Sequence, residues 1–130
     1  QSAVSFELPK PLKDFTIVLG NAEDEKITIS FDAQASKYSL DRSKSGLTDF
    51  SDKFALPIME APADFIDSDS AEFQIFLDAS SIEFFADSGA NAITAQFFPN
   101  KPYTQFSITT EDEVKNLKIT PIPSIWKDNN

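Results

Sequence analysis

Residues 72–99, EFQIFLDASSIEFFADSGANAITAQFFP, leave this chain little choice of fold. Phe73, Ile75 and Leu77 fall on one side of an extended backbone and Gln74, Phe76 and Asp78 on the other, the period of two that marks a strand. Asp78-Ala79-Ser80-Ser81 then breaks the run, because short polar side chains that bond their own backbone favour a turn. A second strand sets Ile82, Phe84 and Ala86 against Glu83 and Phe85, until Asp87-Ser88-Gly89 supplies a turn in which Gly89 takes a positive φ at little cost. A third carries Ile93, Ala95 and Phe97 and stops at Pro99, which has no N–H to give a ladder. Together they predict a three-stranded meander, apolar on both faces. At roughly 1.5–3 kcal/mol per fully buried large apolar side chain, it is expected to be the strongest local contributor to the core.

The rest of the chain repeats the pattern in shorter pieces. Val4, Phe6 and Leu8 alternate with polar neighbours, and Pro9 and Pro11 then stop the strand or hold it at a sheet edge. Phe15, Ile17 and Leu19 form a second strand closed by Gly20-Asn21. Ile27, Ile29 and Phe31 form a third, and residues 33–36 turn it into a fourth centred on Tyr38 and Leu40. Beyond the meander, Phe106 and Ile108 mark a strand over residues 105–110, and Leu117 and Ile119 another within 114–122, with Asp112-Glu113 in the turn between. Pro121, Pro123 and Ser124-Ile125-Trp126 read as an anchored terminus, because an indole offers a large apolar area that is normally covered. About nine short strands, no helical period and turn signals every 8–12 residues predict an all-β, antiparallel two-sheet sandwich of the jelly-roll or concanavalin-like kind. Residues 1–130 are expected to form it as one domain.

Residues 41–62 differ from their surroundings. They hold few alternating pairs and several turn formers, with DRSKSG at 41–46, Phe50 and Phe54, then Pro57 and Pro62. A connection this long inside a compact domain is either a functional loop or interface, or a packed crossover between two sheets. Asp41, Arg42, Phe50 and Phe54 are its candidate interface residues.

Composition narrows the chemistry. The chain has 130 residues, no cysteine and no histidine, which removes the commonest general base and the commonest zinc ligand and leaves carboxylates, hydroxyls, Lys and Tyr. Thirteen Phe against three Gly indicate a packed β core. A net charge of −10, from 21 acidic and 11 basic residues, repels phosphate backbones and anionic membrane surfaces, so neither nucleic acid nor membrane is an expected partner. The chain opens on Gln1 rather than Met, which suggests a segment cut from a longer precursor.

Each candidate for chemistry has a plainer reading beside it. Asp78 and Glu83 flank the first turn of the meander, and glycoside cleavage needs two carboxyls about 5–10 Å apart. A short turn places such groups at a sheet end, where an Asp typically accepts backbone N–H bonds, so both are read as structural. Glu83 shares its strand face with Phe85 and is expected to be partly covered and paired with a cation such as Arg42. Tyr38, Tyr103 and Trp126 are candidate sugar-stacking rings, set against the commoner role of single aromatics in core or edge packing. The run Glu23-Asp24-Glu25 lacks the glycine-punctuated loop that calcium requires and reads as a solvated hairpin tip. With no phosphate loop, no Ser-His-Asp set and no metal-ligand cluster, no catalytic residue, metal or cofactor site is expected.

Three motifs carry a resemblance that single residues do not. YSLDRSKSG at 38–46, with DFSDKFA at 49–55 and Ala61-Pro62, is similar to a strand, a D-R-[ST]-x-S-G loop and an A-P pair. FQIFLDASSIEFFADSG at 73–89, followed by FFP at 97–99, is similar to L-R-I-x-V-D-R-S-S-V-E-x-F…(D/N)G and I-F-P, and ITPIPSIW at 119–126 to W-P-L-K-S-I-W. In order and spacing, over about 90 residues, they resemble the C-terminal β-sandwich domain of glycoside hydrolase family 32, the levanases, inulinases and invertases. Ala79 departs from the family's Arg, which puts any ion pair at this hairpin in doubt. The family's N-D-P-N-G, R-D-P and E-C motifs, which belong to an N-terminal five-bladed propeller, do not occur in this chain.

The resemblance implies a non-catalytic accessory sandwich that packs beside the catalytic propeller of the same polypeptide, in a secreted or periplasmic β-fructosidase acting on fructans or sucrose. Two alternatives stay open at this point. One is a free-standing carbohydrate-binding module for fructan or another glycan; the other is a purely structural or adhesive extracellular sandwich.

Overall fold

The computed structural model describes residues 2–46 and 58–121. They form ten strands: β1 (Ser2–Pro9), β2 (Phe15–Gly20), β3 (Lys26–Asp32), β4 (Lys37–Lys44), β5 (Ile58–Pro62), β6 (Ser70–Leu77), β7 (Ser81–Ala86), β8 (Asn91–Gln96), β9 (Gln105–Thr110) and β10 (Lys115–Pro121). One sheet runs β10-β1-β6-β7-β8 and the other β5-β4-β3-β2-β9, with every ladder between them antiparallel. No helix among the described residues is long and apolar enough to cross a membrane.

Alternation places the core. Along β6 every second residue is buried (Ala71, Phe73, Ile75, Leu77), and their neighbours across the ladder, Ile82, Phe84 and Ala86, are buried too. The meander β6-β7-β8 therefore forms as expected, and Gly89 has its positive φ. Asp87 and Ser88 share that left-handed region, at φ 55° and 57°. The second apolar face of the meander is only partly covered. Phe76 is 41% exposed on the outside and packs edge-on against Phe85, with ring centroids 5.9 Å apart.

Aromatic rings join the two sheets. Phe73 stacks on Phe6 at 5.1 Å and on Phe84 at 6.1 Å, and Phe15 of the opposite sheet meets it edge-on at 5.3 Å. Tyr38 stands at the middle of this group, in contact with Phe15, Phe31, Phe73 and Phe84, and has no exposed surface. Such offset and edge contacts add about 0.5–1.5 kcal/mol each beyond burial.

Two expectations about residues 41–62 change. Residues 41–44 complete β4, and residues 58–62 are a strand, β5, which runs beside β4 at the rim of one sheet. The connection therefore joins neighbours in the same sheet and is no crossover between sheets. An edge strand alternating between exposed and half-buried residues gives too little contrast for its period to show.

The two long edges of the sandwich differ. At the β5/β8 edge, the Asn91 side chain donates to the Pro62 carbonyl at 3.0 Å and accepts from the Asp64 N–H at 2.6 Å, drawing the sheets together. At the β9/β10 edge, Phe106 and Ile108 are only half-buried. Ile119 pairs with the buried Val4 and so faces inward, yet it is 52% exposed.

Candidate functional site

Among the described residues, DRSKSG, FFP and the first turn of the meander meet at one end of the sandwich, around residues 96–104. Arg42 alternates with Tyr38 and Leu40 along β4, so its side chain points inward, where Nη1 donates to the Gln96 carbonyl at 2.7 Å. Burial alone disfavours its charge and lowers its pKa. The Arg42 carbonyl in turn accepts from the Ser45 hydroxyl at 2.6 Å, and the Ser45 carbonyl accepts from Tyr103 Oη at 2.8 Å. Asp41 faces the other way and folds onto its own loop, taking bonds from the Ser43 N–H and hydroxyl at 2.8 and 2.7 Å.

Gly46 closes this arrangement. Its φ is +135°, a region that side chains avoid, and a Cβ there would lie 2.1 Å from the Phe98 carbonyl oxygen. The glycine of DRSKSG is thus demanded by the backbone of FFP. The Phe97 N–H also donates to Ser80 in the meander's first turn at 3.1 Å, so all these motif segments are sewn to one another.

The β2–β3 hairpin tip joins the same cluster, which corrects its reading as merely solvated. Asn21, only 4% exposed, donates from Nδ2 to Glu25 and to the Lys101 carbonyl, both at 2.9 Å, while Oδ1 accepts the N–H groups of Glu23 and Glu25. Glu25 also accepts from the Asn100 N–H at 2.7 Å and from its side-chain amide. Burial opposes the charge of Glu25, but the bonds from Asn21, Asn100 and Lys101 outweigh it and hold its carboxyl below the ordinary 4.5. Gly20-Asn21 was a visible turn signal; a partner some 75 residues away was not.

The remaining candidates separate. Tyr38 is fully enclosed and offers no face to a sugar, a correction that its shared period with Leu40 already contained. Tyr103 is 8% exposed, lies 5.0 Å from the Phe97 ring centre to centre, and has its hydroxyl engaged; burial, then the nearby charge of Glu25, raises its pKa. Glu83 stands exposed on the outside of β7 opposite Phe76, so it forms no pair with the inward-pointing Arg42. Asp78 sits in the turn, where its N–H donates to Ser81 and its carboxylate accepts from the Ala79 N–H. Phe50, Phe54 and Trp126 lie outside the described residues.

A cleft of about 690 Å³ opens beside this cluster toward the β9/β10 edge. Val4, Leu19, Ile75, Leu77, Phe97 and Tyr103 form its buried wall, and Phe106 and Ile119 its apolar mouth. Ser2, Asp78, Asn100 and Gln105 add polar groups. At the far end of the domain, Asp87, with no exposed surface, holds Lys10 Nζ at 2.9 Å and accepts the Ile66 N–H at 2.8 Å, neither of which the sequence signalled.

Comparison with known proteins matches residues 1–121 to the family described as Glycosyl hydrolases family 32 C terminal. The chain is 29% identical over 118 residues to a levanase of Bacillus sp. strain L7, covering 88% of itself and 13% of the levanase. It is 28% identical over 130 residues to an extracellular exo-inulinase of Aspergillus awamori, 95% of this chain and 24% of that one. A crystal structure of exo-inulinase from Aspergillus awamori superposes with a TM-score of 0.73 at 25% identity, over 92% of this chain and 24% of that one. The chain thus spans between 13% and 24% of the length of these relatives.

Proposed function

The chain belongs to the C-terminal domain family of the family 32 glycosyl hydrolases, and we propose that it is the accessory, non-catalytic sandwich of a fructan- or sucrose-splitting enzyme, packed against that enzyme's catalytic β-propeller. The observation that carries this is one of proportion: a match across residues 1–121 corresponds to only 13–24% of relatives that include a levanase and an exo-inulinase. The geometry agrees with a supporting role. DRSKSG, FFP and the meander turn spend their polar groups on one another, and Asp78 and Glu83 stand in different settings, one in a turn and one on an outer face. The span over residues 41–62, which runs from the end of β4 with its buried Arg42 to the end of β5, is the proposed contact with the propeller. The proposed export from the cell is supported by the Aspergillus relative, which is named an extracellular enzyme. The binding-module reading loses two of its three rings, because Tyr38 and Tyr103 are buried.

The purified chain is expected to release no fructose from sucrose, inulin or levan. Release above the blank, abolished by Asp78→Asn, overturns the non-catalytic reading.

A further inference from the structure

We propose that Tyr38 and Asp87 hold a buried water molecule between the two sheets, the Tyr38 hydroxyl donating to the water and the water donating to Asp87 Oδ1. Neither side chain has any exposed surface, and neither Tyr38 Oη nor Asp87 Oδ1 has a hydrogen-bond partner among the described residues. Buried polar atoms in folded chains are almost always paired with protein or with ordered water, so two orphans beside the same part of the core point to a shared partner. The sheets bring them there. Tyr38 lies on β4, and its ring touches Phe73 and Phe84 of the facing sheet. Phe73 pairs with Ala86, and Asp87 is the next residue along the chain. The charge of Asp87 reaches the phenol as well: burial first, and that charge second, raise the pKa of Tyr38.

A direct bond between the two groups is opposed by how firmly each is held. The Tyr38 ring is wedged among Phe15, Phe31, Phe73 and Phe84, with centroid separations from 5.0 to 6.5 Å. Asp87 sits at a φ of 55°, and its Oδ2 accepts from Lys10 Nζ at 2.9 Å and from the Ile66 N–H at 2.8 Å. A rotation that brought Oδ1 to the phenol would pull Oδ2 away from both donors. A water both donates and accepts, so it joins the pair without moving either. The surroundings also select water over a metal ion. Lys10 already balances the Asp87 charge, and an added cation would face its ammonium group. Nor can Lys10 serve Oδ1 instead, because its three donors are taken by Asp87 Oδ2, the Ile66 carbonyl and the Ser68 hydroxyl.

A crystal structure of the full, unaltered chain at a resolution that shows ordered solvent is expected to place a peak within hydrogen-bond distance of both Tyr38 Oη and Asp87 Oδ1. In solution, oxygen-17 magnetic relaxation dispersion is expected to lose the amplitude of a single long-lived water in Tyr38→Phe, which keeps the ring and deletes the hydroxyl. Tyr103→Phe is the control. That phenol already donates to the Ser45 carbonyl, so the variant is expected to keep the parent amplitude. A direct bond from Tyr38 Oη to Asp87 Oδ1 in the crystal, no peak between the two atoms, or a peak with the short contacts of a metal ion would each overturn the proposal. So would a relaxation amplitude unchanged by Tyr38→Phe, or one lost equally in Tyr103→Phe.

Discussion

The β5/β8 edge and the β9/β10 edge of this sandwich are built from similar strands and finish differently. At the first, one side chain, Asn91 of β8, makes two bonds across the gap, to Pro62 at the end of β5 and to Asp64 just beyond it, and the sheets meet. At the second, inward-facing Phe106, Ile108 and Ile119 remain partly or largely uncovered among the described residues. The difference teaches that a sandwich closes where a polar clasp can satisfy edge backbone groups, and otherwise requires further chain or another domain to cover its flank.

The comparison breaks most visibly in the core that both edges share. Phe84→Ala, at a fully buried ring packed on Phe73 and Tyr38, is expected to cost ~3–5 kcal/mol, and Leu77→Ala ~2–5. Denaturant unfolding measures both, and an unchanged midpoint in either would mean that the inner and outer faces of the meander are interchanged. Next in size is Gly46→Ala, where the φ of +135° alone implies roughly 1–3 kcal/mol of strain before the contact with Phe98 is counted. A thermal midpoint equal to that of the parent chain would show that DRSKSG and FFP do not meet as described.

The pH dependence sharpens the same picture at intermediate size. Burial holds the Tyr38 and Tyr103 phenols above their ordinary 10.0, helped by the charges of Asp87 and Glu25 respectively. The folded chain therefore keeps protons that the unfolded chain releases. That stability is complete below pH 10.0 and declines above it. Tyr103→Phe is expected to make the alkaline decline shallower; an identical slope in the variant contradicts the burial of that hydroxyl. The smallest effect belongs to the closed edge. Asn91→Ala removes two bonds at a half-buried site, about 1–2 kcal/mol, and faster amide exchange should be confined to β5 and β8.

How much of this was legible follows from how local each determinant is. The meander and the alternation in β1 to β4 are written in neighbouring residues, and the sandwich followed from them, although β8 ends at Gln96, short of both Phe97 and the expected stop at Pro99. β5 was not legible, because Ile58–Pro62 is a short rim strand with little contrast between its two faces. Tyr38 and Arg42 both keep step with Leu40 along β4, and that shared period places all three on the inner face, although residues 41–44 also fall in a stretch crowded with turn formers. The joins that make the motif cluster, Arg42 to Gln96, Tyr103 to Ser45 and Glu25 to Asn100, span 54 to 75 residues and leave no mark on either sequence neighbourhood. The same holds for Lys10 and Asp87.

The central claim is that this sandwich is one part of a two-part enzyme, and that its partner covers the connection over residues 41–62 rather than the β9/β10 edge. Amide hydrogen exchange on this chain, with and without the separately expressed catalytic propeller, tests it most directly. The account predicts new protection over residues 41–62 and little change along β9 and β10. Protection confined to β9 and β10, with binding confirmed, or no binding at concentrations where domains of one chain associate, would contradict it.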